Sequence, residues 1–310
     1  MSPRCSILMR TKNVAWVLEH TLASLSSQTM QDFELWIIDS GSTDRTLEIA
    51  RRHEHEFIHI EPSEYFPGRV LNQAAARARG ELLVLWNSDT VALREDALEK
   101  LVDAFDAPDV EAAYARQAPR PEAEHWVKRD YAASFPAEGA AAPWMSLSFP
   151  LAAVRASSWR VQKFYTDAWG SEDTQWGVAA EQRGARVVYV PEALVMHSHN
   201  YTLAQGWGRR FIEGEADAFI YPERELSWSR LGFRASIATL SDAKASALGG
   251  RFGELCRGIP RRFVDQLAYG RGARHGARRR RSGDRDASYG AAQVLKRHES
   301  VRSERDGAGQ

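Results

Sequence analysis

Residues 82–90 constrain the fold more than any other part of this sequence. Five apolar residues follow one another without alternation (Leu82–Trp86), and the run stops at a polar triplet that ends in Asp89. A short unbroken apolar run is typical of a strand that is buried on both faces, as in a parallel sheet. Ligands of open α/β sheets bind just beyond the carboxyl ends of such strands. Asp89 is therefore predicted to face a ligand.

The same pattern recurs along the first hundred residues. Residues 33–38 form a second apolar run that ends at Asp39, and Ser42 or Thr43 is the expected N-cap of the helix that follows. Predicted strands cover residues 6–9, 33–38, 57–60, 82–86 and 110–114, and predicted helices cover 14–27, 44–53, 69–79 and 95–105. This alternation predicts an α/β fold in which a parallel sheet carries helices on both faces.

The alternation breaks after residue 116. Residues 117–143 contain several prolines and many alanines without a period, which predicts an irregular loop or a mobile segment over the site. Further strands are predicted at 147–155, 186–190 and 193–196, and further helices at 172–183 and 203–219. We therefore expect one domain over residues 1–220, with halves 1–116 and 117–220, followed by a helical C-terminal extension over 221–269.

Charge is distributed unevenly along the chain. Residues 251–310 hold fifteen basic and seven acidic residues, although the whole chain has 41 of each. Residues 270–310, rich in Gly, Arg, Ser and Asp, are predicted to be largely disordered. Apolar residues among arginines in 252–269 predict either contact with an anionic membrane surface or a helix that packs on the body. Binding to nucleic acid is disfavoured, because the body is acidic and no reading motif is present.

The sequence also bears on location. Cys5 and Cys256 lie far apart, without metal-binding spacing, which fits a reducing compartment. The N-terminus lacks a basic segment followed by a long apolar stretch, and no apolar run approaches the ~18 residues of a membrane-spanning helix. We expect a cytoplasmic protein, either free or peripheral at the inner face of the membrane.

Several motifs, taken in order, resemble the family 2 glycosyltransferases. The resemblance implies their Rossmann-like nucleotide-sugar-binding fold, called GT-A, with a mixed, mostly parallel central sheet and helices on both faces. They are residues 6–13, residues 39–44, the acid after the fourth strand, and residues 171–173. Residues 69–72, 114–121 and 197–203 further resemble bacterial rhamnosyltransferase-type members. The resemblance covers residues 4–220. It implies an inverting enzyme that moves a sugar from a nucleoside-diphosphate sugar to a hydroxyl of a carbohydrate or lipid-linked acceptor, in bacterial polysaccharide, glycolipid or glycoside biosynthesis.

The resemblance implies a nucleotide pocket at the ends of the first two strands. Asp39 is expected at the base or ribose, since a carboxylate accepts hydrogen bonds from a pyrimidine N–H or from ribose hydroxyls. The alternative is a turn aspartate that caps the next helix. Thr11 and Asn13 are expected to line the same pocket. Arg69 and Asn72 are expected at the base or phosphates, or else on a solvated helix face.

Relatives carry an Asp-any-Asp signature that holds a divalent cation against the diphosphate. Here the triplet is Asn87-Ser88-Asp89, so Asp89 supplies its only acid. Asn87 and Ser88 are expected to contact the nucleotide sugar. The resemblance implies that His197, with His199 as the alternate, is a further metal ligand, and Mg²⁺ or Mn²⁺ is the expected cation. The alternative for Asp89 is a structural aspartate after a strand.

The resemblance also implies where the acceptor reacts. Asp173 is expected to be the general base that deprotonates the acceptor hydroxyl, and Glu172 is expected to orient it or to bind the acceptor. The alternative is that both acids favour a helix N-terminus electrostatically. Trp144, Trp169 and Trp176 are expected to form the acceptor platform, unless they are core residues.

Two other classes of protein with a related fold would differ from this sequence at particular residues. A sugar-nucleotide nucleotidyltransferase usually carries a glycine-rich basic loop after its first strand, whereas residues 10–13 contain no glycine. A non-catalytic nucleotide-sugar-binding protein would be expected to lack Asp89 or Asp173, and both are present. The sequence therefore favours the transferase.

Overall fold

The structure is a computed structural model that describes residues 2–249 and 252–296, with the backbone alone for residues 252–257. The chain forms two compact units. Among the described residues, the first comprises 2–123, 127–165 and 172–199, and the second comprises 124–126, 166–171, 200–249 and 252–296. The domain boundary expected at residue 220 falls inside the second unit.

The described residues form these strands: β1 (Cys5–Thr11), β2 (Phe33–Asp39), β3 (Glu56–His59), β4 (Leu82–Trp86), β5 (Val91–Ala92), β6 (Val110–Ala118), β7 (Leu151–Arg155) and β8 (Arg186–Met196). They form these helices: α1 (Ala15–Ser26), α2 (Thr46–Ala50), α3 (Pro67–Ala75), α4 (Ala97–Asp103), α5 (His125–Ser134), α6 (Ala156–Val161), α7 (Glu172–Gln182), α8 (Leu203–Ile220), α9 (Trp228–Leu248) and α10 (Phe252–Ser282). Residues 288–296 are also helical.

The strands make one sheet in the order β3-β2-β1-β4-β7-β6-β8-β5. Strand β1 is parallel to β2 and β4, β2 is parallel to β3, and β6 is parallel to β8. The pairs β4–β7, β6–β7 and β5–β8 are antiparallel. The predicted mixed, mostly parallel sheet is confirmed, and the carboxyl ends of β1, β2 and β4 lie along one edge.

Strand β4 shows why the sheet carries a core on each face. Every residue of β4 is buried, and alternate side chains point to opposite faces. Leu82, Val84 and Trp86 join one apolar cluster, while Leu83 and Leu85 join the other. Residues of α1 and α4 pack in the first cluster, and residues of α3, α6 and α7 pack in the second. Helices therefore cover both faces, as predicted.

The segment expected to be irregular, residues 117–143, is partly regular. Strand β6 continues to Ala118, and α5 covers His125–Ser134. Tyr131 and Phe135, one helical turn apart, bring their rings to 5.8 Å, and Phe135 joins the second apolar cluster. The abundant alanines hid this apolar spacing. Similarly, the two strands predicted at 186–190 and 193–196 are the single strand β8, with a register shift in its pairing to β6.

The prediction of disorder from residue 270 was wrong for the described part of the tail. Helix α10 runs to Ser282, because its glycines let its backbone lie directly on α8. A Cβ added to Gly272 would lie 1.9 Å from the carbonyl oxygen of Phe211, and one on Gly276 would lie 2.3 Å from that of Glu215. A composition rich in glycine and arginine predicted disorder, but the glycines allow the two helix backbones to approach closely. Residues 297–310 of the predicted tail lie outside the described residues.

In the described part of the chain, no helix is both long enough and apolar enough to cross a bilayer.

Candidate active site

Asp89 lies in the turn after β4, and its carboxylate faces two histidines that follow β8. The distance from Asp89 Oδ2 to His199 Nε2 is 3.1 Å, and from Asp89 Oδ1 to His197 Nε2 it is 3.7 Å. One ligand atom from each residue lies within 4.8 Å of the others. The side chains of Asp89 and His197 are 15% and 10% exposed, and that of His199 is 36% exposed. The expected metal ligands therefore converge in one partly open cluster.

The two-residue strand β5 explains why residues so far apart in sequence meet. It pairs antiparallel with β8, with Val91 opposite Met196 and Ala92 opposite Val195. Continuing this register two residues back along the chain sets Asp89 opposite residue 198. The residues on either side of that position are the two histidines. Backbone pairing thus brings one acid against two imidazoles.

A hydrogen bond to Gln117 orients the His197 ring. The distance from His197 Nδ1 to Gln117 Oε1 is 3.1 Å, and the Gln117 amide nitrogen donates to Ser148 Oγ at 2.9 Å. Because Oε1 can only accept, Nδ1 carries a proton in this arrangement, and Nε2 is the ring nitrogen that faces Asp89. The Tyr131 hydroxyl lies 3.3 Å from the same Nδ1. In the neutral imidazole, Nε2 is then the nitrogen that would bind a metal ion.

Arg120 braces the acid and the histidine segment together. Its guanidinium donates to the backbone carbonyl of Asp89, and its backbone N–H donates to Ser198 Oγ at 2.9 Å. Burial opposes ionisation of Asp89, but the charges of His197, His199 and Arg120 outweigh burial and hold the pKa of this carboxyl below its ordinary value. Asp89 is thus the anion that a cation site requires.

Asp39 ends β2 and is fully buried. One carboxylate oxygen accepts from the hydroxyls of Thr11 (3.0 Å) and Ser42 (2.5 Å). The other accepts from the backbone N–H groups of Gly41 and Ser42, both at 2.9 Å. Asp39 therefore stabilises its own turn. The predicted N-caps were wrong, because α2 begins at Thr46 with Arg45 as N-cap and no capping side chain.

Asn13 joins the loops that follow β1 and β2. It adopts a left-handed conformation with φ of 50°, which asparagine tolerates better than most residues. Its side-chain oxygen accepts from the N–H of Thr43 at 2.7 Å, and its own N–H donates to Ser42 Oγ at 2.9 Å. Thr11 and Asn13 thus meet the Asp39 turn, as expected for residues of one pocket.

Arg69 and Asn72, on α3, have different surroundings. Arg69 is exposed, with its guanidinium 4.7 Å from the Phe66 ring centroid. The Asn72 amide is bonded to both backbone groups of Phe164, each at 2.9 Å, and its oxygen also accepts from the Trp159 indole at 3.0 Å. These bonds anchor the segment after α6. Asn72 is thus engaged in packing, and Arg69 is exposed to solvent.

Asn87 and Ser88 complete the turn before Asp89. The N–H of Asn87 donates to the carbonyl of Pro150 at 3.0 Å, and its carbonyl accepts from Thr90 at 2.9 Å. Ser88 is buried, and Asn87 is half-buried. The backbone of this turn is therefore held on both sides of the acid.

The two acids at the start of α7 have different partners. Glu172 is buried and pairs with the Arg10 guanidinium at 2.6 Å. Asp173 is half-buried, and its carboxylate accepts from the Thr174 N–H at 2.8 Å. Burial disfavours the charge of Arg10, but Tyr65, Glu172 and Asp173 outweigh burial and raise the pKa of the guanidinium. Arg10, near the end of β1, is therefore a permanent positive charge that pairs with Glu172 and also attracts Asp173.

The three tryptophans expected at the acceptor do not share one environment. Trp176 is fully buried, and its indole donates to the carbonyl of Gln162 at 2.9 Å. A sugar cannot stack on it, so the platform expected there was wrong and the core alternative holds. Trp169 is 9% exposed and belongs to the second unit. Trp144 is 63% exposed and is the one of the three with an open ring face.

Four residues of the cluster had no role in the sequence analysis: Arg10, Gln117, Arg120 and Tyr131. Arg10, Gln117 and Arg120 lie inside motifs that carry the family resemblance, yet no spacing rule connects them to Asp89 or Glu172. Tyr131 lies in the segment expected to be irregular. Strand pairing positions Arg10 on β1 and Gln117 on β6, Arg120 follows β6, and Tyr131 lies on α5.

The residues of β1 to α6 match a known sequence family. The model of Glycosyl transferase family 2 matches residues 6–159. The chain is 33% identical over 205 residues to the O-antigen chain rhamnosyltransferase WbaN of Salmonella anatum. The aligned region covers 62% of this chain and 64% of WbaN. It is 28% identical over 226 residues to RfbN of Salmonella typhimurium, also named an O-antigen chain rhamnosyltransferase, with coverage of 68% and 71%. The matched region thus spans just under two thirds of the length of WbaN.

Solved structures agree on the architecture. A mannosyltransferase from Pyrobaculum calidifontis, PcManGT, in complex with GDP-Man and Mn²⁺, superposes with a TM-score of 0.61 at 21% identity, over 89% of this chain and 87% of that one. Residues 1–349 of S. aureus TarS superpose with a TM-score of 0.53 at 16% identity, over 91% and 92%. The fold is that of the GT-A glycosyltransferases. The sequence similarity to glycosyl transferase family 2 covers residues 6–159, about half of the chain.

Proposed function

We propose that this protein is an inverting glycosyltransferase. It moves a hexosyl or deoxyhexosyl group from a nucleoside-diphosphate sugar to a hydroxyl of a carbohydrate acceptor in bacterial polysaccharide biosynthesis. The observation that carries the proposal is the Asp89–His197–His199 cluster, in the same unit as the Asp39 turn and the Asp173 carboxylate.

The cluster suits a divalent cation. It offers one carboxylate oxygen and two imidazole nitrogens, and Gln117 presets the tautomer of one of them. Asp89, His197 and His199 would hold Mn²⁺ or Mg²⁺, and imidazole ligands favour Mn²⁺ of the two. When bound, the ion would neutralise charge on the diphosphate as it leaves. PcManGT, of similar fold, was solved with Mn²⁺ and GDP-Man.

In this proposal the nucleoside is bound by Thr11, Asn13 and the turn that follows Asp39. Asp39 acts by fixing the turn that holds Gly41 and Ser42, because its oxygens already accept four hydrogen bonds within the protein. Asn87 and Ser88 contact the donor beside Asp89. Arg69, exposed at the start of α3, meets the phosphates. Asn72 is omitted from the donor site because its amide is engaged in packing.

Asp173 is the general base. The acceptor oxygen forms a bond to the anomeric carbon while the bond from that carbon to the diphosphate oxygen breaks. The acceptor proton passes to the Asp173 carboxylate, and the nucleoside diphosphate departs with the bonding electrons. Because attack and departure take place on opposite faces of the ring, configuration inverts. Glu172 directly precedes Asp173 in sequence and is held by Arg10, so it positions the base.

The names of the relatives and the exposed surface support a choice of donor sugar and of location. WbaN and RfbN are both named O-antigen chain rhamnosyltransferases, so rhamnose is the donor sugar to test first. The proposed location of the protein is the cytoplasm, where nucleotide sugars are available as donors. Peripheral contact with the membrane stays a proposal for residues 252–269, where Ile259, Phe263 and Leu267 are exposed. The exposed apolar residues of α9 would add to this contact: Phe233, Ile237, Leu240 and Leu248.

The function is tested in two stages. UDP-, dTDP- and GDP-sugars are ranked by the shift in melting temperature that each gives with Mn²⁺, since ligands that bind the native state raise it. Release of nucleoside diphosphate from the best donor is then measured with candidate acceptors. Asp89→Ala and EDTA should each abolish both the shift and the release. Stabilisation and transfer that persist in Asp89→Ala would contradict the proposal.

A further inference from the structure

The second unit contains a cavity of about 730 Å³ that is separate from the donor site. Its walls are residues 222–227, the first turns of α9, and the part of α10 between Tyr269 and Arg281. We call it the arginine cavity. Seven arginines line it: Arg224, Arg230, Arg234, Arg274, Arg278, Arg280 and Arg281.

The lining is strongly positive. Three carboxylates, those of Asp217, Glu223 and Glu225, stand against the seven guanidinium groups, which leaves an excess of four positive charges. Asp217 is already engaged, because it accepts from the Tyr269 hydroxyl at 2.6 Å and pairs with Arg224 at 3.6 Å. Neighbouring like charges repel, so an anion that entered this cavity would relieve the repulsion.

Four of the arginines are available to a ligand. Within residues 2–249 and 252–296, no ion pair joins Arg230, Arg234, Arg278 or Arg281 to a carboxylate, and all four side chains belong to exposed residues. They come from two helices, α9 and α10, and so approach the cavity from two sides. Guanidinium groups from two helices that line one cavity can bind the same anion.

The other three arginines are held in place by the protein. The guanidinium of Arg274 lies 4.8 Å from the Trp228 ring centroid, and that of Arg224 lies 4.2 Å from the Tyr221 ring centroid. Arg280 donates to the carbonyl of Pro222 at 2.9 Å. Side chains that are ordered before binding lose less entropy when a ligand arrives. The cavity is therefore partly organised for an anion.

We infer that the arginine cavity binds the phosphate or diphosphate group of a small ligand. The planar guanidinium donates two parallel hydrogen bonds to phosphate oxygens, which makes arginine the preferred side chain for this group. A volume of 730 Å³ lies within the ~300–1,000 Å³ typical of small-molecule pockets. The positive charge is gathered in one recess and does not follow an extended track, which disfavours a nucleic-acid strand.

The ligand can be soluble or part of a lipid. Phe233 and Ile237 flank Arg234 on α9 and are 67% and 52% exposed. An amphiphile could place its phosphate among the arginines and its chains beside these two residues. A free phosphate ester would use the arginines alone. Both sources share the same recognition chemistry.

The first experiment measures binding of inorganic pyrophosphate by calorimetry, in EDTA so that the proposed donor site lacks its cation. The wild-type protein should bind, and Arg230→Gln/Arg278→Gln should bind about tenfold or more weakly, because two charged donors are lost. The control Arg51→Gln/Arg160→Gln removes two exposed arginines outside the cavity and should match the wild type. Thermal unfolding confirms that each variant is folded.

The second experiment separates the two sources. Phosphatidylcholine vesicles containing phosphatidic acid present a phosphomonoester, and vesicles with an equal fraction of phosphatidylglycerol present a phosphodiester. A lipid ligand predicts tighter binding to phosphatidic acid that is lost in Arg230→Gln/Arg278→Gln. A soluble ligand predicts that Arg230→Gln/Arg278→Gln loses binding to pyrophosphate but binds both kinds of vesicle as the wild type does. If the double variant binds pyrophosphate and both kinds of vesicle as the wild type does, the inference is wrong.

Discussion

Gln117 acts on the Asp89–His197–His199 cluster through one hydrogen bond to His197. Its side-chain oxygen accepts the His197 Nδ1 proton at 3.1 Å, which leaves Nε2 to face Asp89. Gln117→Leu removes the acceptor inside the core. We expect Mn²⁺ affinity to fall by roughly 10–100-fold, the usual effect of losing such a partner. Calorimetric titration with Mn²⁺ measures it.

Gln117→Glu provides the matched control. A carboxylate at this position still accepts from Nδ1, so Mn²⁺ affinity should recover relative to Gln117→Leu. If Gln117→Leu binds Mn²⁺ as tightly as the wild type, the orienting role is wrong.

The general base is tested by Asp173→Asn, which keeps the side-chain shape and removes the proton acceptor. We expect kcat to fall by about 10²-fold or more, the usual contribution of a positioned base. Donor affinity, measured by the melting-temperature shift with nucleotide sugar, should stay near the wild-type value. Transfer at the wild-type rate would exclude Asp173 as the base.

The sequence singled out Asp89, His197 and His199 because each follows a predicted strand, and the structure brings these three side chains together. Their role as metal ligands and the role of Asp173 stay predictions. Trp176 was misplaced, since an aromatic residue near an acid in sequence gives no information on whether its ring faces solvent or core. Gln117 and Arg120 were missed because their roles depend on long-range pairing.

Glu34 ties three elements together at the other end of β2. Its carboxylate accepts from Ser6 Oγ of β1 at 2.6 Å and from the N–H of Arg79, after α3, at 2.7 Å. Burial opposes ionisation of Glu34, but these hydrogen bonds and the Arg79 guanidinium outweigh it and lower its pKa from the ordinary 4.5. The ionised form is therefore favoured in the folded state.

Acid should expose this contribution. Because the pKa of Glu34 is lower folded than unfolded, the folded state binds fewer protons, and the stabilisation is complete above pH 4.5 and lost as the pH falls through the folded pKa. Glu34→Gln should reduce the free energy of unfolding by about 1–3 kcal/mol at neutral pH. Urea unfolding at several pH values should show the difference shrinking below pH 4.5. A constant difference would contradict this account.

The contact between α8 and α10 depends on glycine. In Gly272→Ala the new Cβ would lie 1.9 Å from the Phe211 carbonyl oxygen, so the helix backbones must separate. We expect a loss of about 1–3 kcal/mol in the free energy of unfolding. Gly232→Ala is the matched control in α9, where no atom lies within 4 Å of the new Cβ. There, alanine should stabilise by roughly 0.5–1 kcal/mol, since it favours helix more than glycine does. Equal effects in urea unfolding would rule out the close approach as the cause.

Elements were predictable where apolar runs were unbroken and hidden where packing used small residues. Strands β1, β2 and β4 matched their predicted positions closely, because burial on both faces leaves a strong signal. The helix over residues 270–282 was missed, since the glycines that let it approach α8 also lower intrinsic helix propensity. Tertiary contact stabilises this helix against its local preference.

The distribution of apolar surface over the whole molecule bears on membrane contact. Ile237 and Leu240 are exposed on one face of α9. Ile237→Ser/Leu240→Ser should weaken binding to anionic vesicles in a sedimentation assay, because less apolar area enters the interface. Val161→Ser is the control, as Val161 is 77% exposed on α6 in the other unit. Equal loss in both variants would argue against a membrane role for α9.

For the whole chain, the fold class and the family could be predicted from the order of strands and motifs. The division into units could not. Helix α8 follows the sheet directly in sequence, so residues 1–220 looked like one domain, whereas α8 packs against α10 and belongs to the second unit. Contacts that join distant helices leave no local pattern.

The pairing of β5 with β8 has a consequence for recognising other proteins with this site. Asp89 meets the two histidines because it lies two residues before Val91, and because His197 directly follows Met196. One residue inserted between Asp89 and Val91 would shift the acid by one position along the histidine segment. Such a site can tolerate changes of residue type nearby more readily than changes of chain length. Conserved spacing on both sides of the β5–β8 pair, more than overall identity, should therefore mark the chains that share this arrangement of one acid and two histidines.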